Sequence, residues 1–139
     1  MPPETKLKRA FRVISGLSMV TVGILHFVRP SGFVKIVPAW LPAPFLLVLV
    51  SGFFEIAGGI GLFSRRLHRA AAFGLIALYI AVFPANVNMA VHDIQPDGGH
   101  IPTALLWLRL PFQAAFIALA WWLSRSPTPG EASPSRSQT

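Results

Sequence analysis

Cysteine is absent from this sequence, and charged residues are scarce. Without a thiol, the chain itself cannot form a disulfide, a thiolate nucleophile or a cysteine-ligated metal or iron–sulfur site. Charged residues make up only 12% of the chain, whereas a typical soluble protein contains about 25%. Hydrophobic residues make up 53%. Such a composition indicates a membrane protein, provided that the apolar residues form long runs.

Acidic residues are the scarcest charged group, and one of them stands alone. The chain contains 5 of them, and Glu55 is the only one between Glu4 and Asp93. On a helix, side chains three and four positions away share a face with Glu55. These neighbours are all small: Ser51, Gly52, Gly58 and Gly59. We therefore expect Glu55 to lie in a shallow trough that another helix, a water molecule or a ligand can approach closely. Ser51 and the three glycines are expected to serve close helix packing.

Four long apolar runs organise the chain. They cover approximately residues 10–28, 44–63, 67–90 and 103–124, and each approaches or exceeds the ~20 residues that cross ~30 Å of hydrocarbon. The runs are apolar on nearly all faces, whereas the helices of a soluble bundle would each have a polar face. We predict an all-α, integral membrane four-helix up-down bundle over residues 1–124. Residues 125–139, rich in Ser and Pro, are predicted to be a disordered cytoplasmic tail.

The connection between the first two runs is predicted to be more than a linker. Phe33, Ile36, Val37 and Trp40 recur at helical spacing within residues 29–43, and prolines interrupt the segment. A short amphipathic segment lying at the membrane interface fits both features.

The basic residues flank the apolar runs, mostly on one predicted side. A net charge of +7 in a soluble chain would indicate nucleic-acid binding, but no basic stripe with interleaved exposed aromatics is present. Basic residues tend to remain on the cytoplasmic side of a membrane. That rule predicts cytoplasmic N and C termini, because the following residues then all lie inside: Lys6, Lys8, Arg9, Arg12, Arg65, Arg66, Arg69, Arg125 and Arg136.

Polar side chains inside the predicted spans are the candidate functional residues: His26, Glu55, Asn86, Asn88, Arg109 and Gln113. A charge inside a bilayer costs a few kcal/mol on insertion scales, so such residues usually face the interior of the bundle. A rise of ~1.5 Å per residue places Glu55 about 16 Å from the outer end of its helix, Arg109 about 10 Å and His26 about 3 Å. We therefore predict a polar cluster that opens toward the outer face.

Glu55 and Arg109 are the two full charges within the spans, on helices predicted to face each other diagonally. A direct ion pair would need helix tilt, an extended arginine or a bridging water, because both side chains lean outward. The pair could be a buried staple that fixes helix register, or it could contact a ligand. The sequence leaves both interpretations open.

Two prolines accompany the amide side chains of the predicted cluster. Pro84 precedes Asn86, and Pro111 lies between Arg109 and Gln113. Each proline would open its helix locally and free backbone carbonyls, which suits a hydrated or liganded cavity. Asn86 and its neighbour Asn88 also fit hydrogen bonds between helices.

The loop before the last span carries residues of metal-ligating type: His92, Asp93, Asp97 and His100. Their spacing is unspecific, because it contains neither a helical His-x3-His pair nor a cysteine pair. We therefore predict no metal site, and no residue is assigned a catalytic role.

In these polar motifs the sequence resembles the DoxX family of small bacterial membrane proteins. The resemblance spans about residues 10–124 and touches every predicted span. The matching motifs are Gly23-Ile24-Leu25-His26-Phe27, Ile36-Val37-Pro38 with Leu41-Pro42, Ser51-Gly52 through Glu55 to Gly58-Gly59, Phe83-Pro84-Ala85-Asn86 with Met89-Ala90, and Leu108-Arg109-Leu110-Pro111-Phe112-Gln113.

The resemblance implies a four-helix protein of the bacterial cytoplasmic (inner) membrane. The family takes its name from the small subunit of a thiosulfate:quinone oxidoreductase, and related members are linked to membrane redox complexes. Where the family touches quinone, the matching positions for a head-group contact here are Glu55, Arg109, Asn86 and His26. Sulfur chemistry does not carry over, because no residue here is an obvious sulfur-handling group.

We therefore expect a noncatalytic membrane subunit of a redox-linked complex, with an outward-facing polar cavity for a quinone or a similar small ligand. Its partners would be the lipid bilayer, a redox partner subunit and, in a homo-oligomer, other copies of the chain, but not nucleic acid. Two alternatives stay open. The cluster could be purely structural in a membrane assembly or interaction factor. The chain could also be a small-solute transporter, although four helices without a repeat of broken segments argue against it.

Overall fold

The computed structural model describes residues 4–125 of the chain. Within this range the chain forms five α-helices: α1 (Lys6–Val28), α2 (Pro30–Val34), α3 (Pro44–Phe63), α4 (His68–Val91) and α5 (Thr103–Ser124). Four of them, α1, α3, α4 and α5, are long and apolar enough to cross a membrane. The predicted all-α bundle with four helices of membrane-spanning character is therefore confirmed. The predicted tail lies beyond Arg125, outside the described residues.

α1 begins earlier than the apolar run that predicted it, at Lys6 rather than near residue 10. Thr5 caps the helix, because its hydroxyl accepts a hydrogen bond from the Lys8 backbone N–H at 3.2 Å. Such a cap satisfies one of the free N–H groups of the first turn. Arg12 forms an ion pair with Glu4, and both side chains are nearly buried. The basic lead-in therefore forms the first turns of α1.

α1 packs closely against α3 through glycines on both helices. A Cβ added to Gly59 would lie 2.7 Å from the backbone oxygen of Gly16, and one added to Gly23 would lie 2.7 Å from that of Gly52. Real Cβ atoms do not approach backbone that closely, so this helix contact requires glycine. Gly58 instead faces α4, where an added Cβ would lie 2.6 Å from Leu75.

A small buried core lies at each end of the bundle, where α3 packs on α4 and α4 packs on α5. The core beside the α3–α4 connection consists of Leu62, Ala72 and Leu75. The core beside the α4–α5 connection consists of Met89, Ala90 and Leu106. We call the first the basic end, because the start of α1 and the connection with Arg65 and Arg66 lie there. We call the second the cavity end.

Residues 30–41, which we call the strap, lead from α1 toward α3 at the cavity end. Only Pro30–Val34 of the strap is helical, as α2, and the predicted helical spacing continues into a turn at Ile36 and Val37. Pro38 limits the helix, because proline has no backbone N–H to continue the hydrogen-bond ladder. After the strap, Ala43 adopts a left-handed φ of 49° and the chain enters α3 at Pro44.

Candidate functional site

A cavity of about 720 Å³ lies between α3, α4 and α5 and is covered by the strap. Apolar side chains form most of its walls, and the strap contributes Phe33, Ile36, Val37 and Leu41. The polar side chains that line it are His26, Ser51, Glu55, Tyr79, Asn86, Arg109 and Gln113. The fold therefore brings five of the six predicted polar candidates to one cavity, and it places Asn88 elsewhere.

Glu55 lies next to His26 inside this cavity. The distance from His26 Nδ1 to Glu55 Oε2 is 3.2 Å, and the two side chains are only 8% and 11% exposed. His26 Nδ1 also lies 2.9 Å from the backbone oxygen of Val22. A carbonyl can only accept, so Nδ1 carries a proton and donates it to Val22. Within residues 4–125, Glu55 Oε2 is buried and has no hydrogen-bond partner.

Glycine packing explains why His26 reaches Glu55. A Cβ on Gly52 would lie 2.6 Å from the His26 Cβ, so the absence of a side chain at Gly52 makes room for the imidazole. On its other side, the His26 ring stacks on Phe33 of the strap, with ring centroids 3.7 Å apart and an interplanar angle of 21°. Phe33 and Gly52 therefore hold the imidazole in place beside the carboxylate.

The sequence-based depths separated His26 from Glu55 because they assumed that all helices begin at one level. Gly23 of α1 instead lies level with Gly52 of α3, so α3 extends beyond the end of α1 at the cavity end. The Glu55 side chain also leans toward the N-terminus of α3, which is the direction of His26. Relative helix height, which no single run reveals, thus decides this contact.

Asn86 and Gln113 form a hydrogen-bonded network that joins α4 to α5. Asn86 Nδ2 donates to Gln113 Oε1 at 2.5 Å, and Gln113 Nε2 donates to the backbone oxygen of Tyr79. Gln113 is only 4% exposed. The predicted interhelical role of Asn86 and its predicted place in the polar cluster are both compatible with this geometry.

Arg109 lines the cavity without pairing with Glu55. Its Nη1 donates to the sulfur of Met89 at 3.2 Å, while the basic side chain that lies beside Glu55 is His26, at 3.2 Å. The described side chains of Glu55 and Arg109 form no direct ion pair, a contact that the sequence left open. The cavity lies between α3 and α5 and separates them. Because thioether sulfur is a weak acceptor, Arg109 keeps strong N–H donors for another group.

Asn88 and Asp97 hold the strap over the cavity from outside. Asn88 Nδ2 donates to the backbone oxygen of Ile36 at 2.9 Å. Asp97 accepts a hydrogen bond from Ser31 at 2.7 Å and another from Lys35, with which it also forms an exposed ion pair. Hydrogen bonds from Lys35 and Ser31 keep the pKa of Asp97 below its ordinary value.

The sequence analysis predicted neither Tyr79 as a site residue nor the Lys35–Asp97 pair that holds the strap. Tyr79 is the only tyrosine of the chain, and its hydroxyl donates to the sulfur of Met19 at 3.3 Å. A phenol in an apolar span was a usable signal. The Lys35–Asp97 pair could also have been predicted, since the two residues carry opposite charges in two loops predicted to lie on the same side of the membrane. Phe33 was recognised only as part of the interfacial segment.

The loop residues of metal-ligating type do not gather. Within residues 4–125 no group of three His, Asp or Glu side chains could hold a metal ion. His92 Nδ1 lies 3.1 Å from the Asn88 backbone oxygen, and Asp93 accepts from Gln95 and Thr103. These contacts are local and shape the loop.

Comparison with protein families relates this chain to a family without an assigned function. A family model described as a domain of unknown function, DUF8561, matches residues 15–124. The matched range runs from α1 to the end of α5 and includes every residue that lines the cavity. No curated protein and no solved structure matches the chain.

Proposed function

The chain belongs to the DUF8561 family, and we propose that it is a DoxX-like membrane protein that holds a quinone or a similar small ligand. It serves as a noncatalytic membrane subunit of a redox-linked complex, in which a partner subunit performs the chemistry. The observation that carries the proposal is the cavity of about 720 Å³ with apolar walls and a few convergent polar groups. Sites for small apolar ligands have this size and composition.

The polar groups of the cavity suit a carbonyl-bearing ring. Arg109 has N–H donors that Met89 does not satisfy, and the Asn86 amide retains one N–H beyond its bond to Gln113. These donors would bind a carbonyl oxygen of the ligand. Glu55 balances the charge of Arg109 across the cavity or accepts a proton.

For the membrane arrangement, we propose an up-down bundle in the bacterial cytoplasmic membrane with both termini in the cytoplasm. The basic end supports this orientation, because Lys8 lies 4.8 Å from the Trp122 ring centroid and Arg125 lies 5.7 Å from that of Trp121. Basic and aromatic side chains of this kind anchor helices at the cytoplasmic interface. The cavity then opens toward the outer half of the bilayer.

The absence of cysteine makes the orientation simple to test. We would introduce one cysteine at Ser64, in the connection at the basic end, or at Gly99, in the loop beyond α4. Whole cells are then treated with a membrane-impermeant maleimide. We expect labelling of Gly99→Cys but not of Ser64→Cys until the cells are lysed. The reverse pattern would refute the orientation and leave the ligand proposal intact.

Ligand binding is tested with a cavity-filling variant and a matched control. Ala85 lines the cavity on α4, whereas Ala115 is exposed on α5 and does not line it. We would purify wild type, Ala85→Phe and Ala115→Phe in mild detergent and measure co-purified quinone after solvent extraction. We expect quinone with wild type and Ala115→Phe but little with Ala85→Phe. Absence of quinone from all three, while a known quinone protein stays loaded, would refute the proposal.

The Asn86–Gln113–Tyr79 network favours one alternative, a membrane assembly factor whose polar cluster is structural. In that case an apolar pair at Asn86 and Gln113 would restore both stability and partner binding. If the double variant folds well but loses its partner complex, the cluster has a role beyond joining α4 to α5. Native mass spectrometry of the extracted protein reports partners and small ligands together.

A further inference from the structure

One carboxylate oxygen of Glu55, a residue that lines the cavity, has no hydrogen-bond donor among the described residues. Glu55 Oε2 is buried and has no hydrogen-bond partner within the described residues, and Glu55 as a whole is only 9% exposed. Buried polar atoms in folded proteins almost always have a partner. Because Glu55 lines the cavity, its carboxylate calls for a donor from the cavity's occupant.

His26 does not meet this requirement. Its Nδ1 proton belongs to the hydrogen bond with Val22 at 2.9 Å, and the 3.2 Å approach of Nδ1 to Glu55 Oε2 is not a hydrogen bond. The stack on Phe33, with ring centroids 3.7 Å apart, favours this orientation of the ring. Glu55 Oε2 thus receives no hydrogen bond from His26.

The other polar side chains also leave Glu55 unsatisfied. Arg109 donates to Met89, and Gln113 donates to the Tyr79 backbone oxygen. The cavity consequently offers an acceptor on α3 and arginine donors on α5. A ligand that complements both must bring at least one O–H or N–H group as well as an acceptor.

The rest of the wall describes the body of such a ligand. Phe54 on α3 and Phe112 and Phe116 on α5 line the cavity and are about half exposed on helices of membrane-spanning character. A flat ring fits between aromatic side chains. An apolar tail on that ring can pass between α3 and α5 to the lipid.

We propose that the cavity selects a hydroxyl-bearing aromatic ring with an apolar tail, so that it binds a quinol in preference to the corresponding quinone. A ring hydroxyl donates to the Glu55 carboxylate, and the oxygen on the opposite edge accepts from Arg109. This inference rests on the proposed function, since it specifies which form of the ligand the same site holds. No bond is made or broken in this step, so the selectivity concerns binding alone.

The test compares three probes that share one ring and one tail: decylubiquinol, decylubiquinone and the dimethyl ether of decylubiquinol. Binding to the full chain in lipid nanodiscs is measured under anaerobic conditions by quenching of tryptophan fluorescence. We expect the quinol to bind at least about tenfold more tightly than the ether, because the ether keeps the ring but has no donor. The quinone should bind as weakly as the ether.

Two variants relate this selectivity to Glu55. In Glu55→Gln the amide can donate as well as accept, so the quinol preference should fall to within about twofold of the quinone. Asp93→Asn is the matched control, a carboxylate-to-amide change in a loop outside the cavity, and should keep the wild-type preference. Helical content by circular dichroism verifies that both variants are folded.

The outcomes separate this inference from the proposed function. Quinone binding equal to or tighter than quinol binding by wild type would overturn the selectivity but keep the quinone site. Equal binding of quinol and ether would overturn the donor argument even if Glu55→Gln failed to fold. If none of the three probes binds wild type, both proposals fail together.

Discussion

The molecule buries two carboxylates beside basic side chains, one at each end of the bundle. Glu4 pairs with Arg12 at the basic end, with side-chain exposures of 11% and 9%. Glu55 lies beside His26 near the cavity end, with exposures of 11% and 8%. The two pairs are thus equally buried. Both members of the second pair line the cavity, whereas Glu4 and Arg12 are not among the residues that line it.

Burial of a charge therefore does not by itself identify a functional site. Glu4 precedes α1 and pairs with a residue on the second turn of the same helix, so its pair stabilises the start of α1. Glu55 lies in the middle of α3, faces a residue of α1 and lines the cavity. A missing hydrogen bond does not distinguish the two carboxylates, because Glu4 Oε1 and Glu55 Oε2 both lack one within the described residues. The first pair completes local structure at the start of α1, and the second lies at the cavity.

The largest expected effect comes from removing the basic member of each pair. His26→Leu should lower the free energy of unfolding by about 2–3 kcal/mol, because the hydrogen bond to Val22 is lost and Glu55 then lies buried beside an apolar group. Arg12→Leu should cost only about 1 kcal/mol, since Glu4 precedes α1 and, outside a helix, can turn toward solvent. Thermal unfolding in detergent, followed by tryptophan fluorescence, measures both. Equal losses would show that the two pairs do not differ in kind.

A double replacement tests whether the lost stability comes from the buried charge of Glu55. Glu55→Leu combined with His26→Leu removes the buried charge together with its partner, so most of the lost stability should return. Quinol binding should nevertheless be abolished. If the double variant binds ligand as wild type does, Glu55 has no place in the site.

The next effect concerns the glycine contact that brings His26 to Glu55. Gly52→Ala would place a Cβ 2.6 Å from the His26 Cβ, and such overpacking should cost about 1–3 kcal/mol. Gly74 is the matched control, because an added Cβ there meets no described atom within 4 Å. Gly74→Ala should instead stabilise its helix by up to about 1 kcal/mol. Effects of the same sign would contradict the close α1–α3 contact.

A smaller effect is expected where the strap is tied to α4. Asn88→Leu removes the donor that the Ile36 backbone oxygen uses, so stability should fall by about 1 kcal/mol. Hydrogen exchange of strap residues 30–41 should accelerate, while exchange at the basic end stays unchanged. Uniform acceleration throughout the bundle would show that Asn88 supports the whole fold and not the strap specifically.

The smallest effect is the pH dependence of the contacts that Asp97 makes with Lys35 and Ser31 of the strap, which we call the clasp. Its pKa in the folded state lies below the ordinary value of 3.8, chiefly because Lys35 and then Ser31 donate to it. A lowered folded pKa means that the clasp stabilises the strap fully above the ordinary pKa and loses this contribution as pH falls through the folded pKa. Strap hydrogen exchange, corrected for its intrinsic pH dependence, should therefore accelerate below about pH 4.

Asp97→Asn supplies the control for the clasp. The variant cannot titrate at this position, so the acid-dependent part of the strap exchange should disappear. High salt should imitate acid in wild type, because the pair is exposed and the Debye length at 1 M salt is about 3 Å. A pH response that persists in Asp97→Asn would assign it to another group.

Much of the candidate site was predictable because polar residues in apolar spans are few. Glu55, Arg109, Asn86, His26 and Gln113 stand out for that reason, and the fold gathers all of them at one cavity. Which of these side chains lie beside each other was not predictable in the same way. Counting residues along each helix gives depth only if the helix ends are level, and α1 and α3 are not level.

The sequence by itself determined that this protein has four helices able to cross a membrane. Long apolar runs need every backbone group hydrogen-bonded within the segment, and a helix meets that need locally. The tertiary structure decided that His26 and not Arg109 lies beside Glu55, that Asn88 ties the strap, and that α3 and α5 leave a cavity between them. These outcomes depend on the height and spacing of helices, which contacts such as Gly23 on Gly52 set.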